Sequence, residues 1–480
     1  MTTQKRKGFL LTWVLNAIYV CFLILGSPWL LWRAIFKSKN RRGWGQKLFG
    51  WPSQLGTNLS GTNQADSSTA PDPNRAGCIW FHAVSVGEVN LLAPVLNRLK
   101  QSQPDVRIAI STTTETGFDL ARSKYSAHEV FFCPMDFSWA IKRVIKRLKP
   151  RMLVLAELEL WPNLIRTTRG AGVPVAVING RLSKSSFDGY KNLSWLLRPV
   201  FQQLSFVAAQ NPTYADRFKS LGTNPRNVVV TGSVKFDGIE TDRGNAKTIK
   251  LQRLAGIEQG DQVFVAGSTQ LEEDLIAART YRTICRTNPR SRLILVPRHP
   301  ERCSALTVQL RQMGLPTLLR SQLNDEQGFH AASDAIANFS NEVRPILIVD
   351  VIGELGAWWG CADAAYVGGS MGKRNGQNMI EPAGYGVPVS FGPKTENFRE
   401  IVDQLLREDA ATVISNQTEL TKFVQAVFSG EVESGERAQK VVLSHIGGAQ
   451  RTVEALCEIL DANSSANHDN RAGVTRKKAA

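Results

Sequence analysis

The chain has 480 residues, of which 43% are hydrophobic and 21% are charged. This length predicts two or three domains, and the composition excludes both a disordered chain and a bundle of membrane spans. The net charge of +16 at pH 7 suits either an anionic membrane surface or nucleic acid as a partner. No nucleic-acid-binding motif occurs and the basic N-terminus flanks an apolar run, which favours the membrane surface and no nucleic acid.

The N-terminal 50 residues contain nine Lys or Arg and no Asp or Glu. Within them, residues 9–32 form a run of 24 residues without a charge, about the length that a bilayer-spanning helix needs. We therefore predict a membrane anchor with a basic flank over residues 1–51. More basic residues follow the run than precede it, which places the body of the protein on the cytoplasmic side. A helix that lies in the membrane surface is the alternative.

The rest of the chain predicts two folded domains after a linker. Residues 52–76 are rich in Ser, Thr, Asn, Gly and Pro and predict a flexible tether. Strand-like apolar runs then alternate with helical patterns in two series, which predicts an α/β fold of two Rossmann-like domains with parallel sheets. We predict the first domain over residues 77–232, the second over 233–461 and a disordered tail over 462–480. The predicted strands lie at residues 78–81, 106–110, 130–133, 152–156, 173–178 and 206–209, then at 263–266, 293–296, 346–349, 364–367 and 387–391.

Candidate site residues follow the predicted strands, because parallel sheets bind ligands beyond the carboxyl ends of their strands. Glu88 follows the first strand, where a carboxylate could act as a general base. The alternative is an acidic residue that stabilises the first turn of a helix. Glu157 and Glu159 share one face after the fourth strand, either as a functional pair or as a structural one. Lys235, between the domains, could neutralise an anionic substrate or be a solvated lysine.

The second domain carries two candidate phosphate-binding features. Arg298 follows its second predicted strand and could hold a phosphate through two hydrogen bonds. Asn378 and Glu381 have the spacing of a helix cap, which by itself predicts a stable helix start. The same geometry, reached through a Gly-rich stretch, could bind phosphate at a helix N-terminus while Glu381 accepts hydrogen bonds from ribose hydroxyls.

Cysteine and histidine spacing predicts no metal site. The seven Cys are scattered without a C-x-x-C pair, and the six His lack the spacing of metal ligands. Free thiols in a reducing compartment are the plain interpretation.

Together and in this order, the motifs resemble those of the Kdo transferases, which transfer 3-deoxy-D-manno-octulosonic acid (Kdo) in Gram-negative bacteria. The resemblance extends over residues 79–406 and rests on the stretches HAVSVGE, ELELWPN, NGRLS, AAQN, GSVKFD, AGST, LVPRHPER, GEL, ADAAYVGGS, QNMIEPA, and FGP followed by NF. It implies the two-domain GT-B glycosyltransferase architecture, CMP-Kdo as donor substrate, and the lipid A precursor (lipid IVA) as acceptor. It also implies inversion of the donor's anomeric centre without a cofactor or protein-held metal, in lipopolysaccharide core biosynthesis at the inner membrane.

The resemblance also implies roles for individual residues. Glu88 matches the general base, and Glu157 and Lys235 match positions that support the transition state. The implied CMP site comprises Pro297, Arg298, Ile352, Gly353, Glu354, Asn378, Met379, Ile380 and Glu381.

Three positions depart from the family pattern, because Gln270, Gln377 and Lys394 stand where the family usually has His. Glutamine and lysine can still donate hydrogen bonds, so we expect changed nucleotide contacts or pH dependence rather than lost activity. The alternatives are another GT-B nucleotide-sugar transferase or epimerase, and a membrane-tethered nucleic-acid-binding protein without catalysis.

Overall fold

The computed structural model describes residues 16–17, 19–21, 25, 42–50, 77–323, 343–372 and 374–462. The chain forms two compact units, one from Met1–Gly238 with Ile446–Ala480 and the other from Ile239–His445. In the described residues, each unit has one parallel sheet of seven strands. The predicted α/β class with two Rossmann-like domains is therefore confirmed.

The sheet of the first unit has the strand order β3-β2-β1-β4-β5-β6-β7. Its strands are β1 (Ile79–His82), β2 (Ile108–Thr112), β3 (Glu129–Phe132), β4 (Met152–Ala156), β5 (Val175–Gly180), β6 (Phe206–Ala209) and β7 (Val228–Val230). The order reverses between β1 and β4, so the loops after these two strands flank the position where such sheets bind ligands. The helices up to β7 are α1 (Trp44–Phe49), α2 (Val86–Ser102), α3 (Glu115–Lys124), α4 (Ser138–Leu148), α5 (Pro162–Gly170), α6 (Lys184–Asn192), α7 (Ser194–Phe201) and α8 (Pro212–Ser220).

The sheet of the second unit has the strand order β10-β11-β9-β8-β12-β13-β14. Its strands are β8 (Gln262–Thr269), β9 (Ser291–Pro297), β10 (Thr317–Leu319), β11 (Ile346–Ile348), β12 (Ala364–Val367), β13 (Val389–Phe391) and β14 (Ala411–Val413). Here the order reverses between β8 and β12. The helices are α9 (Ala246–Leu254), α10 (Leu271–Ile284), α11 (Cys303–Gln312), α12 (Leu355–Gly360), α13 (Ile380–Gly384), α14 (Arg399–Arg407), α15 (Gln417–Phe428) and α16 (Ser434–His445).

The last described helix, α17 (residues 448–462), belongs to the first unit. Its side chains Ala449, Val453, Leu456 and Leu460 are buried in one core with the apolar face of α2. The carboxylate of Asp237 accepts hydrogen bonds from the backbone N–H groups that precede and begin α17, at 2.6 and 2.8 Å. The predicted second domain ran to residue 461, and the structure corrects this end to His445.

Sequence patterns located the central strands and missed three outer ones. The missed strands are β7, β10 and β14, each three residues long and each at an edge of its sheet. Edge strands are only partly buried, and two of the three residues of β7 are exposed. Such strands lack the continuous apolar run that marks a parallel strand covered on both faces.

Most of the predicted anchor (residues 1–51) and all of the predicted tether (52–76) lie outside the described residues, as does the predicted tail beyond residue 462. Among the residues that are described, no helix is both long and apolar enough to span a bilayer. Two described side chains from the apolar run contact the start of α4 or the residues just before it. Asn16 donates to the hydroxyl of Ser138 at 2.8 Å, and Tyr19 donates to the carboxylate of Asp136 at 3.0 Å.

Candidate active site

Glu88 lies in the first turn of α2, directly after β1. Its carboxylate accepts hydrogen bonds from the backbone N–H of Val84 at 2.8 Å and from the hydroxyl of Ser85 at 3.0 Å. Burial raises the pKa of Glu88 to about 7, and the negative charges of Glu159 and Glu157 add to the increase. Glu88 thus supports the start of α2, and a pKa near 7 is also one that a general base at neutral pH requires.

Glu157 and Lys235 form an ion pair, with 3.1 Å between Oε1 of the carboxylate and the ammonium nitrogen. Glu157 directly follows β4 and has a left-handed backbone, with φ of 55°. Lys235 lies in the loop after β7. Two candidate site residues that were predicted from separate motifs are therefore in contact in the folded chain.

Asn179, at the end of β5, bonds Glu157 and the residue that precedes Lys235. Its Nδ2 donates to Glu157 at 3.4 Å, and its Oδ1 accepts from the backbone N–H of Val234, next to Lys235, at 3.1 Å. The residue is fully buried and also has a left-handed backbone. Its position in the NGRLS stretch was noticed in the sequence, but its role was not, because the contacts join segments far apart in the chain.

Glu159 is the third acidic residue of the candidate site in the first unit, after Glu88 and Glu157. Burial raises its pKa, and the indole N–H of Trp161 donates to its carboxylate at 2.9 Å. The negative charge of Glu159 acts on Glu88, as described above. The two residues, which the sequence left as either a functional or a structural pair, have different partners: Glu157 is paired with a lysine, and Glu159 accepts a hydrogen bond from a tryptophan.

In the second unit, two arginines of the PRHPER stretch have different surroundings. Arg298 is exposed, and its guanidinium makes no hydrogen bond or ion pair with any residue in the described part of the chain. Arg302 donates to the backbone oxygen of Thr269 at 3.2 Å and to the buried carboxylate of Asp274 at 3.3 Å. Arg298 is therefore available to a ligand, whereas Arg302 joins the segment after β9 to the end of β8 and the first turn of α10. Pro297 is buried as the last residue of β9.

The stretch after β11 contains one exposed and one engaged side chain. Ile352 is 89% exposed, and Gly353 has a φ of 94° that favours glycine. Glu354 accepts two hydrogen bonds from the guanidinium of Arg320, at 2.9 and 3.0 Å. Its carboxylate is thus largely occupied within the protein.

Asn378 and Glu381 contact each other, as the cap spacing predicts. Asn378 Nδ2 donates to the Glu381 carboxylate at 2.9 Å, and its Oδ1 accepts from the backbone N–H of Ile380. Burial raises the pKa of Glu381. The helix begins at Ile380 and has five residues, with Met379 at its N-cap, so Asn378 lies one residue before the cap position. Met379 and Ile380 are buried.

Within the described residues, no hydrogen bond or ion pair joins Arg298, Glu354 and Glu381 to one another. In the same part of the chain, no group of three or more His, Cys, Asp or Glu could hold a metal ion.

The family model of 3-deoxy-D-manno-octulosonic-acid transferase (kdotransferase) matches residues 44–238. The chain is 30% identical to the 3-deoxy-D-manno-octulosonic acid transferase of Haemophilus influenzae over 391 residues, which cover 80% of this chain and 88% of the relative. The chain belongs to the Kdo transferase family. It is therefore a glycosyltransferase that transfers Kdo, and the family resemblance of its motifs is confirmed.

A second Kdo transferase, from Bordetella pertussis, is 29% identical over 443 residues, or 89% of this chain and 95% of the relative. Among solved structures, a glycosyltransferase from Rickettsia africae resembles this Kdo transferase with a TM-score of 0.50. That match covers 81% of this chain and 99% of the other at 12% identity. At this identity the likeness concerns the fold alone.

Proposed function

We propose that this Kdo transferase transfers Kdo from CMP-Kdo to lipid IVA, the lipid A precursor, in lipopolysaccharide core biosynthesis. Membership of the family supports the reaction. The half-buried Glu88, with its pKa raised to about 7, is the observation that carries the mechanism. In this proposal CMP-Kdo is the donor substrate, and the protein uses no resident metal or cofactor.

In the proposed mechanism, Glu88 removes the proton of an acceptor hydroxyl as its oxygen attacks the anomeric carbon of Kdo. The bond to CMP breaks on the opposite side, and CMP leaves with the bonding electrons. A single displacement inverts the anomeric centre and requires one base and no covalent intermediate. A base with a pKa near the working pH is efficient, since it is substantially deprotonated and still accepts a proton readily.

We assign Glu157 and Lys235 to support of the transition state. The ammonium of Lys235 would compensate the negative charge of the Kdo carboxylate and of the departing phosphate. Glu157 supports this role because its carboxylate holds the ammonium at 3.1 Å. Asn179 in turn fixes Glu157 and the backbone beside Lys235.

We assign the CMP site to the second unit. The exposed guanidinium of Arg298 would bind the phosphate, and Glu381 would accept hydrogen bonds from the ribose. Asn378 supports that assignment by holding Glu381 at 2.9 Å. The remaining residues in the proposed site are Pro297, Ile352, Gly353, Glu354, Met379 and Ile380, of which Met379 and Ile380 would contribute backbone groups.

We further propose that the protein is attached to the inner membrane through its N-terminal apolar run, with the catalytic body on the cytoplasmic side. The uncharged run and the nine basic residues among the first 50 support this placement. The hydrogen bonds of Asn16 and Tyr19 with Ser138 and Asp136 favour a helix in the membrane surface over a single span, and protease protection of the N-terminus in sealed vesicles distinguishes the two.

The decisive experiment incubates the full-length protein with lipid IVA and freshly made CMP-Kdo and counts the added sugars by mass spectrometry. Parallel reactions replace CMP-Kdo with UDP-sugars. We expect Kdo transfer from CMP-Kdo alone, and the number of Kdo residues added follows from the product masses. Transfer from a UDP-sugar, or no transfer to lipid IVA by folded protein, would overturn the proposal.

A further inference from the structure

Glu273 is a buried carboxylate in the first turn of α10, with 2% of its surface exposed. It accepts a hydrogen bond from the hydroxyl of Tyr366 at 2.9 Å and one from the backbone N–H of Gln270 at 2.8 Å. Three further bonds come from consecutive backbone N–H groups after β12, at residues 369, 370 and 371, with distances of 2.7, 3.0 and 3.0 Å. Five donors thus converge on one side chain.

Consecutive backbone N–H groups that converge in this way form a concavity that binds anions. In this protein the anion is Glu273 itself. The close approach requires glycine, since a Cβ at Gly368 would lie 2.5 Å from the Cα of Thr269 and 2.9 Å from Glu273. The loop after β12 is therefore fitted onto the start of α10, at the point where the strand order reverses between β8 and β12.

The same loop leads to the proposed CMP site. Its described residues between 368 and 379 lie in neither a helix nor a strand, so side-chain and loop contacts must hold it. The backbone N–H of Gly376 donates to the oxygen of Gly369 at 2.9 Å. Ser370 accepts from the backbone N–H groups of Gly392 and Lys394, at 2.7 and 2.9 Å. Residues 369–371, whose backbone N–H groups donate to Glu273, thus anchor the loop that leads to Asn378.

We propose that Glu273 is a positioning residue for nucleotide binding: it fixes the glycine-rich loop after β12 so that Asn378 and Glu381 meet the CMP moiety. The inference rests on the proposed CMP site. Each of the five groups around Glu273 is a donor, so the position requires an acceptor on both oxygens. A glutamine at position 273 would place its NH₂ group, a donor, against other N–H donors. An aspartate would be one methylene too short to reach the loop.

The test measures CMP affinity by calorimetry on the full-length protein. The variants are Glu273→Gln, Glu273→Asp and Tyr366→Phe, with Glu272→Gln as the matched control, because Glu272 is the exposed neighbour in the same helical turn. We expect Glu273→Gln to weaken CMP binding about tenfold or more, Glu273→Asp less, and Tyr366→Phe least, while Glu272→Gln binds like the wild type. In transfer assays the KM for CMP-Kdo should rise by a larger factor than kcat falls.

The dissociation constant separates positioning from stability, because a merely structural role lowers Tm without changing the affinity of the molecules that remain folded. If Glu273→Gln does not fold, Glu273→Asp and Tyr366→Phe carry the test. Wild-type affinity in every folded variant would overturn the inference. A wild-type protein that does not bind CMP would instead overturn the proposed donor site.

Discussion

The ammonium of Lys235 lies 3.1 Å from Oε1 of Glu157, although the two residues follow different strands of the first sheet. Glu157 reaches this position with a left-handed backbone, a conformation that is uncommon for residues other than glycine and that concentrates at functional sites. The side chains are 42% and 26% exposed. An ion pair this accessible contributes only about 0.2–1 kcal/mol to stability, so breaking it should leave the fold largely unaffected.

The first prediction follows from that exposure. Glu157→Gln and Lys235→Met should each reduce kcat by about 10²-fold, while Tm stays near that of the wild type. The double variant should lose less than the product of the single losses, because both changes disrupt one unit. The matched control is the exposed pair Asp216 and Lys219, 3.3 Å apart in the same unit. Equal losses of kcat in the control pair would show that the effect is nonspecific.

Glu88→Gln should reduce the transfer rate by about 10²–10⁴-fold, the usual contribution of general-base catalysis. Glutamine keeps the size of the side chain and can still accept one hydrogen bond at the start of α2, so CMP affinity should change little, as should Tm at pH 5, where Glu88 is itself protonated. Glu115→Gln is the control, since Glu115 is also an acidic residue in a first helical turn. A near-wild-type rate for Glu88→Gln would exclude it as the base and make Glu157 or Glu159 the next candidate.

The pH dependence of kcat/KM should follow the ionisation of Glu88. Only the deprotonated carboxylate accepts a proton, so kcat/KM should rise with pH and reach half of its plateau at about 7. Because the negative charge of Glu159 helps to raise the pKa of Glu88, Glu159→Gln should shift the midpoint to lower pH. An unchanged midpoint would show that the charge of Glu159 does not affect the group whose ionisation controls kcat/KM.

The raised pKa of Glu88 also affects stability. The folded pKa of about 7 exceeds the ordinary value of 4.5, so the folded state binds the proton more tightly than the unfolded state. The contribution of Glu88 to stability is therefore lost as pH rises from 4.5 to about 7. In urea unfolding at pH 5 and 8, Glu88→Gln should remove this part of the pH dependence, and an undiminished dependence would contradict the assignment.

Arg298→Ala and Glu381→Ala should each weaken CMP binding. The first change removes a charge-assisted bond to phosphate and the second removes a ribose acceptor, and such bonds contribute about 1.5–3 kcal/mol. Arg253→Ala is the control for Arg298→Ala, because Arg253 is an exposed arginine of α9 in the same unit. Unchanged CMP affinity in both variants, measured by calorimetry, would move the donor site elsewhere.

Deleting residues 1–51 should release the protein from membranes and preserve CMP binding, because the proposed nucleotide residues lie in the second unit. The deletion also removes α1, which contacts the first unit through bonds such as Trp139 to the backbone oxygen of Leu48 at 3.2 Å. A deletion of residues 1–41 keeps α1 and should therefore have the higher Tm. Failure of both shortened proteins to fold would show that the N-terminal run is part of a core.

Sequence patterns predicted the central strands because both faces of a buried parallel sheet demand apolar residues. Met152–Ala156 and Val175–Gly180 are buried at every position, and their runs of Val, Leu, Ile and Ala are visible in the chain. Val228–Val230 is apolar but lies at an edge of the sheet. An apolar run of three residues is too short to identify a strand from the sequence. The C-terminal helix has an ordinary amphipathic pattern, which does not tell which unit its apolar face covers.

The sequence by itself determined the family, the α/β class and the identity of Glu88, Glu157, Lys235, Arg298 and Glu381 as candidates, because motifs keep residue types at fixed spacing along the chain. The tertiary structure decided which of them meet. The contact of Glu157 with Lys235, four of the five hydrogen bonds of Glu273 and the return of α17 to the first unit all join segments far apart in sequence. Such contacts depend on strand order and on the packing of whole elements, and no local pattern of side chains encodes either one.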